Sequence, residues 1–341
     1  MIDSAISLLA RVNHLEQSSP YGYTPGKAPG YAYVVVFGVG LLLHIGLAVR
    51  YKYWIAMVTL IPGGLLEILG WAGRLWSAEK PTNSNPFLMQ ICCLILGPAF
   101  FSAWAYTILG YCITRLGSAY SLLKPKWYLI TFVSADIISL VLQAIGGGRA
   151  AVAAKLGTNT HTATQIMLAG ILFQLVTMTV FVVLAVDFIA RVILRKPYAF
   201  QLRRSAAAAA ESGSASDSET QTHTPNGSGI DAEAAKSTST SLAGHGAGAG
   251  SPESESGSES DPAALRRAEW LLAGVAFASL MIYVRGIYRA IELAQGWSGY
   301  LITHEPYFIY LDGLPMVLCY YAFAALHPGF LLPRRQGWGR A

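Results

Sequence analysis

Seven apolar runs, at about 31–49, 54–76, 87–112, 127–148, 164–190, 270–292 and 306–327, dominate this chain of 341 residues. Each is long enough to cross a ~30 Å hydrocarbon core as a helix of about 20 residues. Only helices and closed barrels can span a bilayer, because every backbone polar group there must be bonded internally. Runs this long and continuous, without the two-residue alternation of a barrel strand, predict an all-α membrane protein: a seven-transmembrane-helix bundle. The charged fraction of 13%, against about 25% in soluble domains, excludes a large extramembrane catalytic domain, a secreted disulfide scaffold and a nucleic-acid binder.

Charge is unevenly spread. Residues 205–262 hold nine acidic side chains and Lys236, a net −8, so the rest of the chain carries +13. The bias of Lys and Arg toward cytosolic loops fixes the expected orientation. With the N-terminus exoplasmic and the C-terminus cytosolic, sixteen basic residues fall inside and six outside, while Arg285 and Arg289 lie within the sixth span. The expected organisation is an exoplasmic segment 1–30, helices one to five within 31–204 and a disordered acidic Ser/Gly-rich cytosolic loop 205–262. Helices six and seven follow within 263–332, then a basic cytosolic tail 333–341. The first 30 residues hold no apolar run that could serve as a cleaved signal. The loop is too poor in aromatic and branched residues to bury a core; Ser251-Pro252 and Thr224-Pro225 make it a candidate for phosphorylation.

Ionisable groups inside membrane helices are costly and mark paired networks, ligand sites or proton paths. The second span carries Glu67 and Arg74, seven apart and so on one face; the fourth carries Asp136 and Gln143 at the same spacing. Gln174 lies in the fifth span, Arg285, Arg289 and Glu292 in the sixth, and Glu305 and Asp312 in the seventh. Depth along each helix places this set in the middle and exoplasmic half, which predicts a hydrated, charge-lined cavity open outward or sideways. Carboxylates could simply neutralise guanidiniums in a structural network. Five carboxylates against three guanidiniums leave an excess of two, which suits a cationic or zwitterionic ligand, or a carboxyl held protonated by burial.

Other chemistries are excluded or demoted. No Lys follows Lys236, so a retinal Schiff base in the last span is impossible. His44, His304 and His327 are too scattered for a zinc site, no P-loop is present, and no Ser-His-Asp set can be assembled. Cys92, Cys93, Cys112 and Cys319 all fall inside spans, so no loop disulfide is expected. Gly146-Gly-Gly148 reads as a helix stop at the exoplasmic face. No metal, cofactor or enzymatic activity is expected.

The ordered strings Glu67-Ile-Leu-Gly-Trp-Ala-Gly-Arg74, Leu96-Gly-Pro98-Ala-Phe with Ala103-Trp-Ala-Tyr106, Asp136 with Gln143-Ala-Ile-Gly146, Gly170 with Gln174, Arg285-Gly-Ile-Tyr-Arg289-Ala-Ile-Glu292, Glu305 with Tyr310 and Asp312, and His327-Pro328-Gly329 carry a resemblance. Over about residues 20–332 the chain resembles the fungal RTA-like family of lipid-translocating exporters. Gly97 departs from the Ala the resemblance leads one to expect, and the acidic loop is longer. The resemblance implies a seven-helix plasma-membrane protein, with internal membranes a second location. It implies export or flipping of sphingoid long-chain bases or related toxic amphiphiles, stress resistance, and in some members porphyrin movement.

The expected ligand is therefore a membrane lipid or amphiphilic small molecule. Glu67, Asp136 and Asp312 would receive its head, Arg285 and Arg289 would hold those carboxylates or bind a phosphate, and Arg74, Gln143, Gln174, Glu292 and Glu305 would complete the substrate-binding set. The alternative is a seven-helix lipid or stress sensor that binds a similar ligand and signals through the cytosolic loop. A third, weaker reading is a lipid-modifying enzyme using paired carboxylates.

Overall fold

The computed structural model describes residues 21–156, 158–201, 203, 207, 262–297 and 299–331. Nearly all of the expected acidic loop, most of the N-terminal segment and the basic tail lie outside these residues. Seven helices are long and apolar enough to cross a membrane. They are α1 (Lys27–Tyr51), α2 (Ile55–Glu79), α3 (Ser84–Leu116), α4 (Pro125–Lys155), α5 (His161–Leu194), α6 (Pro262–Ala294) and α7 (Glu305–Leu331). No strand occurs among the described residues, and the predicted class is the observed one: an all-α, seven-span bundle. Seven sequential crossings leave α1 starting at one end and α7 finishing at the other. These are called the amino end and the carboxyl end.

Every span reaches beyond its apolar run, because polar residues prolong a helix once its apolar centre is buried. At the amino end the gain is largest in α4. The expected stop at Gly146-Gly-Gly148 does not occur, and the helix runs on to Lys155. Gly146 serves packing instead: a Cβ there would stand 2.8 Å from the Ala163 carbonyl oxygen on α5. The absent side chain lets the two backbones approach, the usual role of small residues between membrane helices.

Prolines shape three of the spans. Pro62 fits the first turn of the main segment of α2, Leu60–Glu79, whose start is marked by a break at Thr59 with φ −117° and ψ −75°. Pro98 sits inside α3 and removes the amide that would bond the Leu94 carbonyl. Pro315 does the same to Leu311 in α7, directly after a π-turn at Ile309–Gly313. Such one-turn widenings recur at functional sites, and this one contains the buried Asp312.

The carboxyl half is packed with apolar side chains, among them Phe101, Trp104, Phe132, Phe181 and Phe188, all nearly or fully buried. Tyr106 meets Phe181 edge-on at 4.5 Å between ring centres. Lipid-facing positions carry exposed aliphatic residues such as Val35, Leu42, Val176 and Val183, as expected of a surface solvated by acyl chains. Arg74, Glu292 and Glu305 lie toward the amino end, while the buried polar residues His44, Ser121 and His327 lie toward the carboxyl end.

Candidate functional site

Arg285 lies one turn before Arg289 on α6, and both point at Asp312 of α7. Arg285 Nε stands 3.0 Å from Asp312 Oδ1, and its Nη2 donates to the Leu94 carbonyl oxygen. That oxygen is the one Pro98 leaves without a helical donor, so the guanidinium repairs the break in α3 while it pairs with α7. Arg289 forks onto Asp312, with Nε to Oδ1 at 2.6 Å and Nη2 to Oδ2 at 2.8 Å. This is the bidentate geometry in which Arg binds carboxylate most specifically. The Nη1 of Arg289 donates to Glu292 Oε2 at 2.9 Å, and the hydroxyl of Tyr288 donates to Glu292 Oε1 at 3.1 Å. Two guanidiniums and two carboxylates thus neutralise one another.

A second pair lies at the amino end. Arg74 Nη2 donates to Glu305 Oε1 at 2.9 Å and to the Tyr23 hydroxyl at 2.6 Å. The same carboxylate accepts from the backbone N–H of Gly26 at 2.9 Å, which pins the segment before α1 to the start of α7. Arg74 also lies 4.4 Å from the centre of the Phe308 ring, a cation–π distance. Tyr21 donates to Gln90 Oε1 at 2.7 Å. Burial pushes the Tyr21 phenol up to about 12, so it acts as a neutral donor.

The two surplus carboxylates are Glu67 and Asp136. Glu67 is 1% exposed, and its Oε1 has no hydrogen-bond partner among the described residues. It packs against Gly97, where a Cβ would come within 2.8 Å of that oxygen. The Gly that departs from the expected Ala therefore makes room for the acid. Asp136 accepts from the Tyr106 hydroxyl at 3.0 Å through Oδ2, while its buried Oδ1 has no partner among the described residues. Between α4 and α5, Gln143 Nε2 donates to Gln174 Oε1 at 3.0 Å.

Two narrow clefts adjoin these groups. One, with a cavity volume of about 40 Å³, lies between α3, α4, α5 and α6 and is lined by Asp136, Gln143, Gln174, Tyr106 and apolar side chains including Met178 and Ile282. The other, of about 30 Å³, lies at the amino end beneath Tyr21 and Tyr23 and is lined by Arg74, Gln90, Glu292 and Trp297. Arg285 borders the first cleft and Arg289 borders both. Glu67, Asp312 and Glu305 line neither. The sequence-derived set is therefore divided: Asp136, Gln143, Gln174 and the arginines face clefts, Asp312 is held between guanidiniums, and Glu67 is sealed in the helix packing. Tyr106 is marked in the sequence only within a motif, and Tyr21, Tyr23 and Trp297 do not belong to the sequence-derived set; the partner of Tyr106 lies on another helix, so spacing along the chain gives no pairing signal.

Among the described residues, no group of three or more His, Cys, Asp or Glu side chains is placed to hold a metal ion. His44 bonds the Tyr320 carbonyl at 3.0 Å, and His327 Nδ1 accepts from the Gly329 amide at 3.0 Å. All four cysteines are free thiols.

Seven apolar spans around a buried, largely self-neutralised ion network define a multi-pass membrane protein of the all-α class. The family described as RTA1 like protein matches residues 60–335, and the chain belongs to that family. From Saccharomyces cerevisiae, the sphingoid long-chain base transporter RSB1 is 30% identical over 92% of this chain and 75% of its own length. Protein RTA1 is 24% identical over 90% of this chain and 84% of its own length. Protoporphyrin uptake protein 1 is 24% identical over 79% of this chain and 67% of its own. No solved structure matches the chain.

Proposed function

We propose that this protein binds a single-chain amphiphile with a cationic or zwitterionic head, of the sphingoid long-chain base type, and moves it between leaflets or out of the membrane. The observation that carries the reading is Asp136, a buried carboxylate with one unpartnered oxygen at the wall of an otherwise largely apolar cleft. An unpaired buried carboxylate is costly, and a ligand ammonium relieves that cost while the chain follows the apolar helix faces. Arg285, Arg289, Glu292 and Asp312 act as a rigid wall that keeps α3, α6 and α7 in register. Glu67 is the second surplus acid, available to a head group or a proton only when α2 and α3 part. The clefts are narrow, so a cargo enters as helices separate, on the timescale of transporter rocking.

The name of the yeast relative RSB1 supports the substrate class. The excess of basic residues on the loops of the carboxyl end supports an exoplasmic N-terminus and a cytosolic C-terminus, with residues 205–262 as a cytosolic acidic segment and the plasma membrane as the working location. The transport role leaves no catalytic step for the carboxylates to perform.

The test is the release of a labelled long-chain base from cells making the protein, beside an Asp136→Asn variant present at equal level in the membrane. Faster release that the substitution abolishes is expected. Release no faster than in cells lacking the protein, with ligand binding retained, overturns transport and leaves the sensor reading.

A further inference from the structure

The two clefts share three lining side chains: Ile95 of α3, Ile171 of α5 and Arg289 of α6. Arg289 is fixed against Asp312 and Glu292 by three donated hydrogen bonds, one from each guanidinium nitrogen. The isoleucines make no directed bond. Ile171 is 7% exposed, and the half-buried Ile95 packs beside Tyr21, Phe87, Ile91 and Trp297. The partition between the clefts is therefore one charge-neutralised guanidinium and two aliphatic side chains held by packing alone, which give way when the helices shift.

The clefts also differ in chemistry. Asp136, with one buried carboxylate oxygen that has no partner among the described residues, lines the first cleft. Among the described residues the lining carboxylate at the amino end is Glu292, already engaged by Arg289 and Tyr288. What that cleft offers an ammonium is the rings of Phe87 and Trp297, 5.7 Å apart between centres; the Tyr21 ring already carries Arg74 at 5.4 Å, and Arg74 and Arg289 are neutralised by Glu305 and Asp312. Aromatic faces attract cations more weakly than a bare carboxylate does. A site from which cargo must leave needs such weakness.

Resting on the reading of Asp136 as head-group acceptor, we propose that the amino-end cleft is a second, weaker binding station for the amphiphile's amine head, reached from Asp136 by passage between Ile95 and Ile171. The two residues act as an apolar constriction: they exclude water and small ions from the route while a lipid head, followed by its chain, parts them.

The experiment uses the full chain reconstituted in vesicles with a fluorescent long-chain base, reading binding and transfer separately. Ile95→Trp and Ile171→Trp are expected to keep binding near that of the parent and to slow transfer by about tenfold or more. Ile95→Ala and Ile171→Ala are expected to bind as the parent does and to transfer about two- to fivefold faster. Trp297→Ala is expected to slow transfer while leaving the Asp136-dependent binding in place. Transfer at parent rates in tryptophan variants that still bind overturns the constriction; if those variants fail to fold, parent rates in both alanine variants overturn it. A parent protein that transfers nothing would instead refute the transport reading itself, and Asp136→Asn with undiminished binding would refute the first station.

Discussion

Arg285 bonds the backbone carbonyl of Leu94, the acceptor that Pro98 deprives of its own helical donor. One guanidinium thereby ties a proline-broken helix to Asp312 on the last span. Removing it leaves an orphaned carbonyl and a carboxylate with one cation fewer. Arg285→Ala is expected to cost about 3–5 kcal/mol, the range for breaking a buried pair, read by thermal unfolding in detergent. Arg285→Lys should recover only part of this, because an ammonium cannot reach both acceptors with a planar fork. Pro98→Ala gives α3 a new amide for Leu94, so in the Arg285→Ala background it should restore about 1 kcal/mol. In the parent it competes with the arginine and brings no gain. Equal effects of Pro98→Ala in both backgrounds would remove the link.

Tyr106 supplies the one hydrogen bond that Asp136 accepts through Oδ2. Tyr106→Phe leaves the acid with no donor and should lower stability by about 1–3 kcal/mol. A long-chain amine added to this variant restores a partner, so its melting shift on ligand addition should exceed that of the parent. Asp136→Asn should show no such shift. Equal shifts in all three proteins would mean that the amine binds elsewhere.

The number of spans and the surplus of carboxylates were legible in the sequence because both follow from counting: apolar runs in one case, five acids against three arginines in the other. Which acids are left over was not legible, because pairing depends on how each helix is rotated. Glu67 and Arg74 share a face of α2, yet Arg74 pairs with Glu305, 231 residues away, and Glu67 turns to Gly97. Pro98 was visible in its motif; its meaning needed the donor on α6. The π-turn that holds Asp312 has no sequence signature beyond the nearby Pro315, and nothing distinguishes Ile95 and Ile171 from the twenty-two other isoleucines until two clefts are seen to share them.

Glu305 holds the amino end shut by accepting from both Arg74 and the Gly26 amide. Its side chain is 21% exposed while that of Arg74 is 1% exposed, so the loss falls mainly on the buried partner. Glu305→Gln should cost about 1.5–3 kcal/mol, the range for hydrogen bonds to charged groups. The amides of residues 21–26 should exchange with deuterium faster, with the helices behind them unchanged. Unaltered exchange in that segment would show that Tyr21, through Ser77 and Gln90, suffices to hold it.

The chain leaving α5 is anchored before the acidic segment begins. The Tyr198 amide donates to the Ala119 carbonyl at 2.9 Å, its hydroxyl donates to Asp187 at 2.7 Å, and Arg191 lies 3.6 Å from its ring centre. Residues 205–262, with a net charge of −8 and few apolar side chains, have little to bury. Replacing that segment with a Gly/Ser linker should leave the melting transition within about 1 kcal/mol of the parent, as for changes away from packed features. Release of a long-chain base should continue at a comparable rate, because every residue assigned to the two clefts lies outside the exchanged segment. A sensor would behave oppositely, keeping ligand binding and losing its output. Loss of release with binding retained would therefore place the acidic segment inside the working mechanism.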